Sequence, residues 1–140
     1  MIEIQQPKDL LSVSLHNIFS YRVDDEDFIE LVKDWNKRVL IEIEKFYPVS
    51  VVFQGEKISF KFRDIQQKHD LRVKMDLHTL LDIAYNRLGP IKAVLKGRLK
   101  IKGIYKVSTL LRFKKIILDT LKMVAADPTE NYYELNQDTR

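Results

Sequence analysis

Asp70-Leu71-Arg72-Val73-Lys74-Met75-Asp76-Leu77 leads into His78-Thr79-Leu80-Leu81-Asp82-Ile83-Ala84, and after Gly89-Pro90-Ile91-Lys92-Ala93-Val94-Leu95-Lys96 the run closes with Gly97-Arg98-Leu99-Lys100-Ile101-Lys102-Gly103. The period of its apolar residues changes along the way. Over 70–77, Leu71, Val73, Met75 and Leu77 alternate with Asp70, Arg72, Lys74 and Asp76, which predicts a strand with one apolar face. Over 78–88, Leu80, Leu81, Ala84 and Leu88 recur at helical spacing, with Gly89-Pro90 as the stop. A short helical turn over 90–96 follows. Alternation then returns over 98–102, setting Leu99 and Ile101 against Arg98, Lys100 and Lys102. Strands with a single apolar face call for helices on one side of a sheet and leave much of the other side wet.

The same alternation extends upstream. Lys57 to Phe62 places Ile58, Phe60 and Phe62 opposite Lys57, Ser59 and Lys61, and with Val49 to Gln54 and a turn at Gly55 it reads as a hairpin. From Arg38, Val39, Ile41 and Ile43 alternate with Leu40, Glu42 and Glu44. A helix continuing to Tyr47 also matches Trp35, Val39, Ile43 and Phe46, but the β-branched residues favour a strand. Before it, Asp24-Asp25-Glu26-Asp27 opens a helix striped by Phe28, Leu31, Val32 and Trp35. Four consecutive acids lack the alternating ligands and glycine of a calcium loop, so they read as a favourable helix start. After an extended opening, residues 8–20 form a first helix with Pro7 at its start and Leu11, Leu15, Ile18 and Phe19 at helical spacing. At the other end, 107–124 is the longest helix candidate, and its apolar arc is wider than one face packed on a sheet requires. The expected division is an N-terminal helix and linker over 1–24, one α+β domain over 25–124 and a polar tail over 125–140.

With 140 residues and 45% hydrophobic composition, one core is the natural outcome. The absence of cysteine excludes a disulfide framework, a thiolate metal site and a cysteine nucleophile, and fits a reducing compartment. Apolar runs of four or five residues are far too short to span a bilayer, and the N-terminus carries no signal-peptide core, so a cytoplasmic location is expected. The net charge of +4 is unevenly spread. From Ile83 to Leu118 there are ten cations and no acid, while the remaining 104 residues carry 14 cations against 20 acids. Such a segment attracts phosphate-bearing partners, unless it is only a solvated face.

No catalytic constellation is visible. His16, His69 and His78 fall in different elements without metal-ligand spacing, which favours surface or capping roles. There is no glycine-rich phosphate loop and no nucleophile elbow. Asp76 and Asp82 read as a helix cap and a surface position. Binding or carrying is the better class, with no metal and no cofactor expected. An apolar interior with a cationic mouth would suit an amphiphile with a long tail and an anionic head. Residue types alone do not separate such a cavity from a filled core.

From Asp76 to Ala84 and from Gly89 to Gly103 the sequence resembles the sterol carrier protein-2 (SCP-2) sterol-transfer family. The order is the same: a helix after a charged alternating strand, a proline-alanine turn, a basic and aliphatic strand between glycines, then an apolar C-terminal helix. Trp35-Asn36 leading into Val39 to Ile43 resembles the family's first strand, so the likeness covers about 25–124. The resemblance implies a five-stranded, mainly antiparallel sheet with helices on one face, no catalysis, and an apolar tunnel between sheet and C-terminal helix for a fatty acid, acyl-CoA, sterol or isoprenoid lipid. Carried onto this sequence, the lining is Met75, Leu77, Leu81, Ala84, Val94, Leu95, Leu99, Ile101, Leu110, Leu111, Phe113 and Ile117. Lys96, Arg98, Lys100, Lys102 and Lys106 are the expected contacts for an anionic head or membrane. Lys96 departs from the neutral amide common in the family, and the ending Asp138-Thr139-Arg140 is no peroxisomal address.

The reading is therefore a non-catalytic lipid-binding domain, with an anionic membrane or a partner enzyme as further partners. An accessory scaffold that docks on an enzyme is the alternative. A nucleic-acid module using 83–118 is disfavoured, since stacking on single strands needs exposed aromatics and only Tyr85, Tyr105 and Phe113 lie there.

Overall fold

The computed structural model describes residues 2–4, 10–62, 68–103 and 106–127. Six strands form one mixed sheet: β1 (Glu3–Ile4), β2 (Asn36–Ile43), β3 (Val49–Gln54), β4 (Lys57–Phe62), β5 (Leu71–Met75) and β6 (Lys100–Lys102), in the order β1-β4-β3-β2-β5-β6. The expected five strands are all present, and the sixth comes from the extended opening, which adds Glu3 and Ile4 in parallel to Lys57 and Ile58 at the edge. β2–β3, β3–β4 and β5–β6 are antiparallel, while β2–β5 is parallel.

The alternation read from sequence sets the two faces. Val39, Ile41, Ile43, Val49, Val51, Phe53, Ile58, Leu71 and Val73 form the buried floor under the helices. α1 (Leu10–Ser20) and α2 (Glu26–Val32) cover one part of it. Phe19 of α1 meets Phe28, Phe53 and Phe60 with ring centroids 6.0–6.3 Å apart. α1, separated from the domain by the sequence division, thus shares its core. Trp35 is not part of the α2 stripe. The helix ends at Val32, and the indole instead packs on Phe53 at 4.9 Å.

α3 (Leu77–Ala84) follows β5 directly, because the Asp76 carboxylate accepts from the Thr79 N–H at 2.7 Å and starts the helix there. Leu77 therefore leaves the strand pattern. Asn86, at φ +61°, ends the helical segment before Gly89-Pro90 is reached, and Pro90 opens α4 (Pro90–Leu95).

The last helical stretch runs from Val107 to Ala126 in three parts: α5 (Val107–Phe113), a π-helical turn over Lys114–Leu118, and α6 (Asp119–Ala126). The wide apolar arc has its explanation here. The wider turn brings Ile116, Ile117 and Leu118, three consecutive residues, into the core. The disturbed helix ladder leaves the Lys115 carbonyl to accept from Arg22 Nη1 at 3.2 Å. Arg22 is itself buried, bonded to Asp25 and Thr120, and set over the Phe28 ring at 5.0 Å.

The outer face is wet at its β5–β6 side only. Leu40, Ser50 and Val52 point outward by register but are buried, and His69, expected at the surface, is buried with them and hydrogen-bonds Ser50 at 2.5 Å. Of the predicted tail, 128–140 lies outside the described residues.

Candidate functional site

The apolar layer between sheet and helices contains one near-wholly apolar cavity. Its floor is Ile41 and Ile43 of β2 with Val73 and Met75 of β5. Leu11, Ser14, Leu15 and Ile18 of α1 close one side, and Leu80, Phe113, Ile117, Leu118 and Leu121 complete the wall. The volume is about 50 Å³. That is room for a few methylenes, against roughly 300–1,000 Å³ for a typical ligand pocket.

Of the residues expected to line a tunnel, Met75, Phe113 and Ile117 stand at this cavity. Ala84 and Leu99 are buried elsewhere in the core, and Leu81, Ile101 and Leu110 are half-buried. Leu77, Val94, Leu95 and Leu111 are exposed, so no lining includes them. Leu77 turns out because α3 starts at its position. Val94 and Leu95 turn out because the short α4 buries only Ala93. Leu111 belongs to the half of the broad helix arc that the π turn removes from the core. The lining missed in sequence comes mostly from α1, whose Leu11, Leu15 and Ile18 are recognisable as a helical stripe but fall outside the domain as divided by sequence.

The expected cationic contacts are also divided. Arg98 is not on a strand. It follows Gly97, which has φ +72°, and the ladder starts only at Lys100. Its guanidinium turns inward, donating to Asp82 Oδ2 at 2.8 Å and to Thr79 Oγ1 at 3.1 Å. Asp82, expected on the surface, is buried and also accepts from Arg87 at 2.9 Å, with His78 Nε2 3.3 Å away. Arg98 first, then Arg87, holds the Asp82 carboxyl below the usual carboxylate range. This cluster clamps α3 to the α4–β6 connection and leaves Arg98 no role at a ligand head. Lys96, Lys100 and Lys102 are exposed beside β6. Lys106 stands at the opposite end of the sheet, where it lines an open groove of about 710 Å³ with Lys37, Arg112, Lys115, Trp35, Leu31 and Leu111. Arg112 is paired there with Asp34 at 2.8 Å.

Comparison with known proteins agrees with this architecture. The model of the SCP-2 sterol transfer family matches residues 17–117. The chain belongs to the SCP-2 sterol transfer family. No curated protein shows significant similarity to it. Among solved structures it is similar to the sterol carrier protein domain 2 of Helicoverpa armigera, with 14% identity over 86% of this chain and 95% of that one and a TM-score of 0.61. It is similar to the protein described as "UbiJ-SCP2 Ubiquinone synthesis protein", with 17% identity over 89% and 99% and a TM-score of 0.59. It is also similar to a conserved hypothetical protein of Thermus thermophilus, with 15% identity over 93% and 99% and a TM-score of 0.58. At these identities the likeness is one of fold. SCP-2 domains bind and transfer lipids, and the sheet with helices on one face is theirs, with β1 added at the edge of this chain's sheet.

Proposed function

We propose that this chain binds one long-tailed lipid, without changing it chemically, in the apolar layer between the sheet and the C-terminal helix. The supporting observation is the cavity walled by α1, Ile41, Ile43, Val73, Met75, Phe113 and Ile117, which is apolar throughout and interrupted by the π turn. At about 50 Å³ it is a seam, so lipid entry requires α1 to part from Phe113, Ile117 and Leu121. α1 is suited to this, since Phe19 anchors its C-terminal end in the aromatic cluster while Leu11 and Leu15 sit on the seam.

Native mass spectrometry and organic extraction of the purified chain, followed by titration with a fluorescent fatty acid, test the proposal. Retained lipid or saturable uptake supports it. Neither being found would favour the second reading, an accessory scaffold that docks on a partner enzyme, for which the nearly filled interior and the fold likeness to a ubiquinone synthesis protein both speak.

A further inference from the structure

α4 buries Ala93 and aims its opposite side at solvent. At 100° per residue Ile91 and Leu95 form the apex of that outer side, with Val94 on one flank and Lys92 and Lys96 on the other. Ile91 is 75% exposed and Leu95 80%, the most exposed large aliphatics among the described residues. A helix of six residues held by one alanine has no internal use for two such side chains.

The strand that follows four residues later adds charge. In the β5–β6 ladder Arg72 faces Lys102, and Lys74 faces Lys100. All four are on the outer face and exposed. Like charges directly opposed on adjacent rungs cost stability rather than adding it. The acids nearby are Glu42, beside Lys74, and Glu44 and Asp76, which share a shallow groove with Lys74 and Lys100. Against these three stand six cations: Arg72, Lys74, Lys92, Lys96, Lys100 and Lys102.

We infer that this edge of the molecule, the apex of α4 with the cations of β5 and β6, is a docking surface for an anionic lipid bilayer. Cations held at the level of the headgroups and two aliphatics able to enter below them match both layers of such a surface. A nucleic acid would meet the cations and leave Ile91 and Leu95 in water, and no aromatic side chain on this edge offers a base a stacking platform. The inference rests on the proposed lipid binding for its biological purpose, since a carrier has to meet the membrane it loads from, but vesicle attachment is measured independently of uptake.

The test is co-sedimentation of the full chain with vesicles of phosphatidylcholine alone and of phosphatidylcholine with phosphatidylserine, at low and high salt. The parent should bind the anionic vesicles selectively and lose affinity as salt rises. Lys100→Gln with Lys102→Gln should weaken partitioning roughly 10- to 30-fold at low salt, and Ile91→Ser with Leu95→Ser about tenfold at both salts. Circular dichroism checks that both variants fold, and uptake of a fluorescent fatty acid in vesicle-free solution should match the parent in both. Failure of the parent to bind anionic vesicles, or parent-like binding by either double variant, overturns the inference. So does tighter binding of the parent to a DNA duplex, abolished by the lysine variant and untouched by the Ile91/Leu95 variant. Vesicle binding without fatty-acid uptake would instead sink the carrier proposal and leave the docking surface standing.

Discussion

Gly97 and Gly103 bracket β6 in sequence, and the structure separates what each does. Gly103 has φ +136°, and a Cβ built there would lie 2.3 Å from the Asp70 carbonyl oxygen and 3.2 Å from the Leu71 Cα. Relief requires about 1 Å of backbone movement, since ordinary van der Waals contact starts near 3.4 Å. Asp70 is poorly placed to move. Its N–H donates to the Arg38 carbonyl at 2.9 Å, and its carboxylate accepts from the Arg38 N–H at 2.9 Å. Disturbing that pair costs about 1 kcal/mol per bond, and a side chain in a glycine-only region adds about 1–3 kcal/mol. Gly103→Ala should therefore lose about 3–4 kcal/mol, or about 10–15 °C in Tm for a chain of this size. Gly97 has φ +72°, and a methyl group added there would meet nothing within 4 Å. Gly97→Ala carries only the left-handed penalty of about 1–2 kcal/mol, partly offset by lower unfolded-state entropy, for a net loss near 1 kcal/mol. Urea and thermal unfolding followed by circular dichroism measure both. Equal losses in the two variants, or a Tm within about 2 °C of the parent for Gly103→Ala, would refute the close-approach argument.

Two further outcomes follow from the packing and the charges. Ile117→Trp, forced into a seam of about 50 Å³, should cost about 1–3 kcal/mol in urea unfolding and reduce fatty-acid uptake, whereas Leu111→Trp, 54% exposed before substitution, should leave stability within about 0.5 kcal/mol. Arg98 and Arg87 lower the Asp82 carboxyl, and Arg22 lowers Asp25, so both contribute stability that is complete above the normal aspartate range and is lost as pH falls through their depressed folded values. Tm should thus hold down to about pH 4 and drop below it, and Asp82→Asn should lower Tm at neutral pH while flattening that acid limb; an unchanged limb would show that the clamp contributes nothing.

Much of the fold was legible because period-two alternation in β4, β5 and β6, and helical spacing in α1 and α3, answer directly to one buried face. The break at Asp76 was visible as a cap, but its consequence for Leu77 depends on the helix starting one residue early. Arg98 looked like a member of the strand because alternation counts residues and cannot see that Gly97 takes φ +72° and delays the ladder to Lys100. The π turn has no compositional mark. It showed in sequence only as an apolar arc too wide for one face, a signal with several causes. Arg22 and His69 are long-range choices, made by the Lys115 carbonyl and by Ser50, and no local pattern announces either.

The filled seam bears on affinity if the proposed lipid binding holds. Burying a sixteen-carbon tail releases about 12 kcal/mol at about 0.8 kcal/mol per methylene. Association costs at least about 4 kcal/mol. If α1 swings away and leaves Leu11, Leu15 and Ile18 in water, about 2 kcal/mol each is lost, and the remaining ~2 kcal/mol gives binding weaker than millimolar. If α1 instead rides on the tail, those side chains exchange one apolar partner for another, and about 8 kcal/mol survives, close to a micromolar Kd. Only the second case is useful to a carrier, and it requires α1 to stay folded while it shifts. Amide hydrogen exchange across 10–20 distinguishes the two: protection in α1 kept or raised by saturating fatty acid fits a helix that rides on its ligand, and protection lost with micromolar binding retained would break the link between the seam and the site.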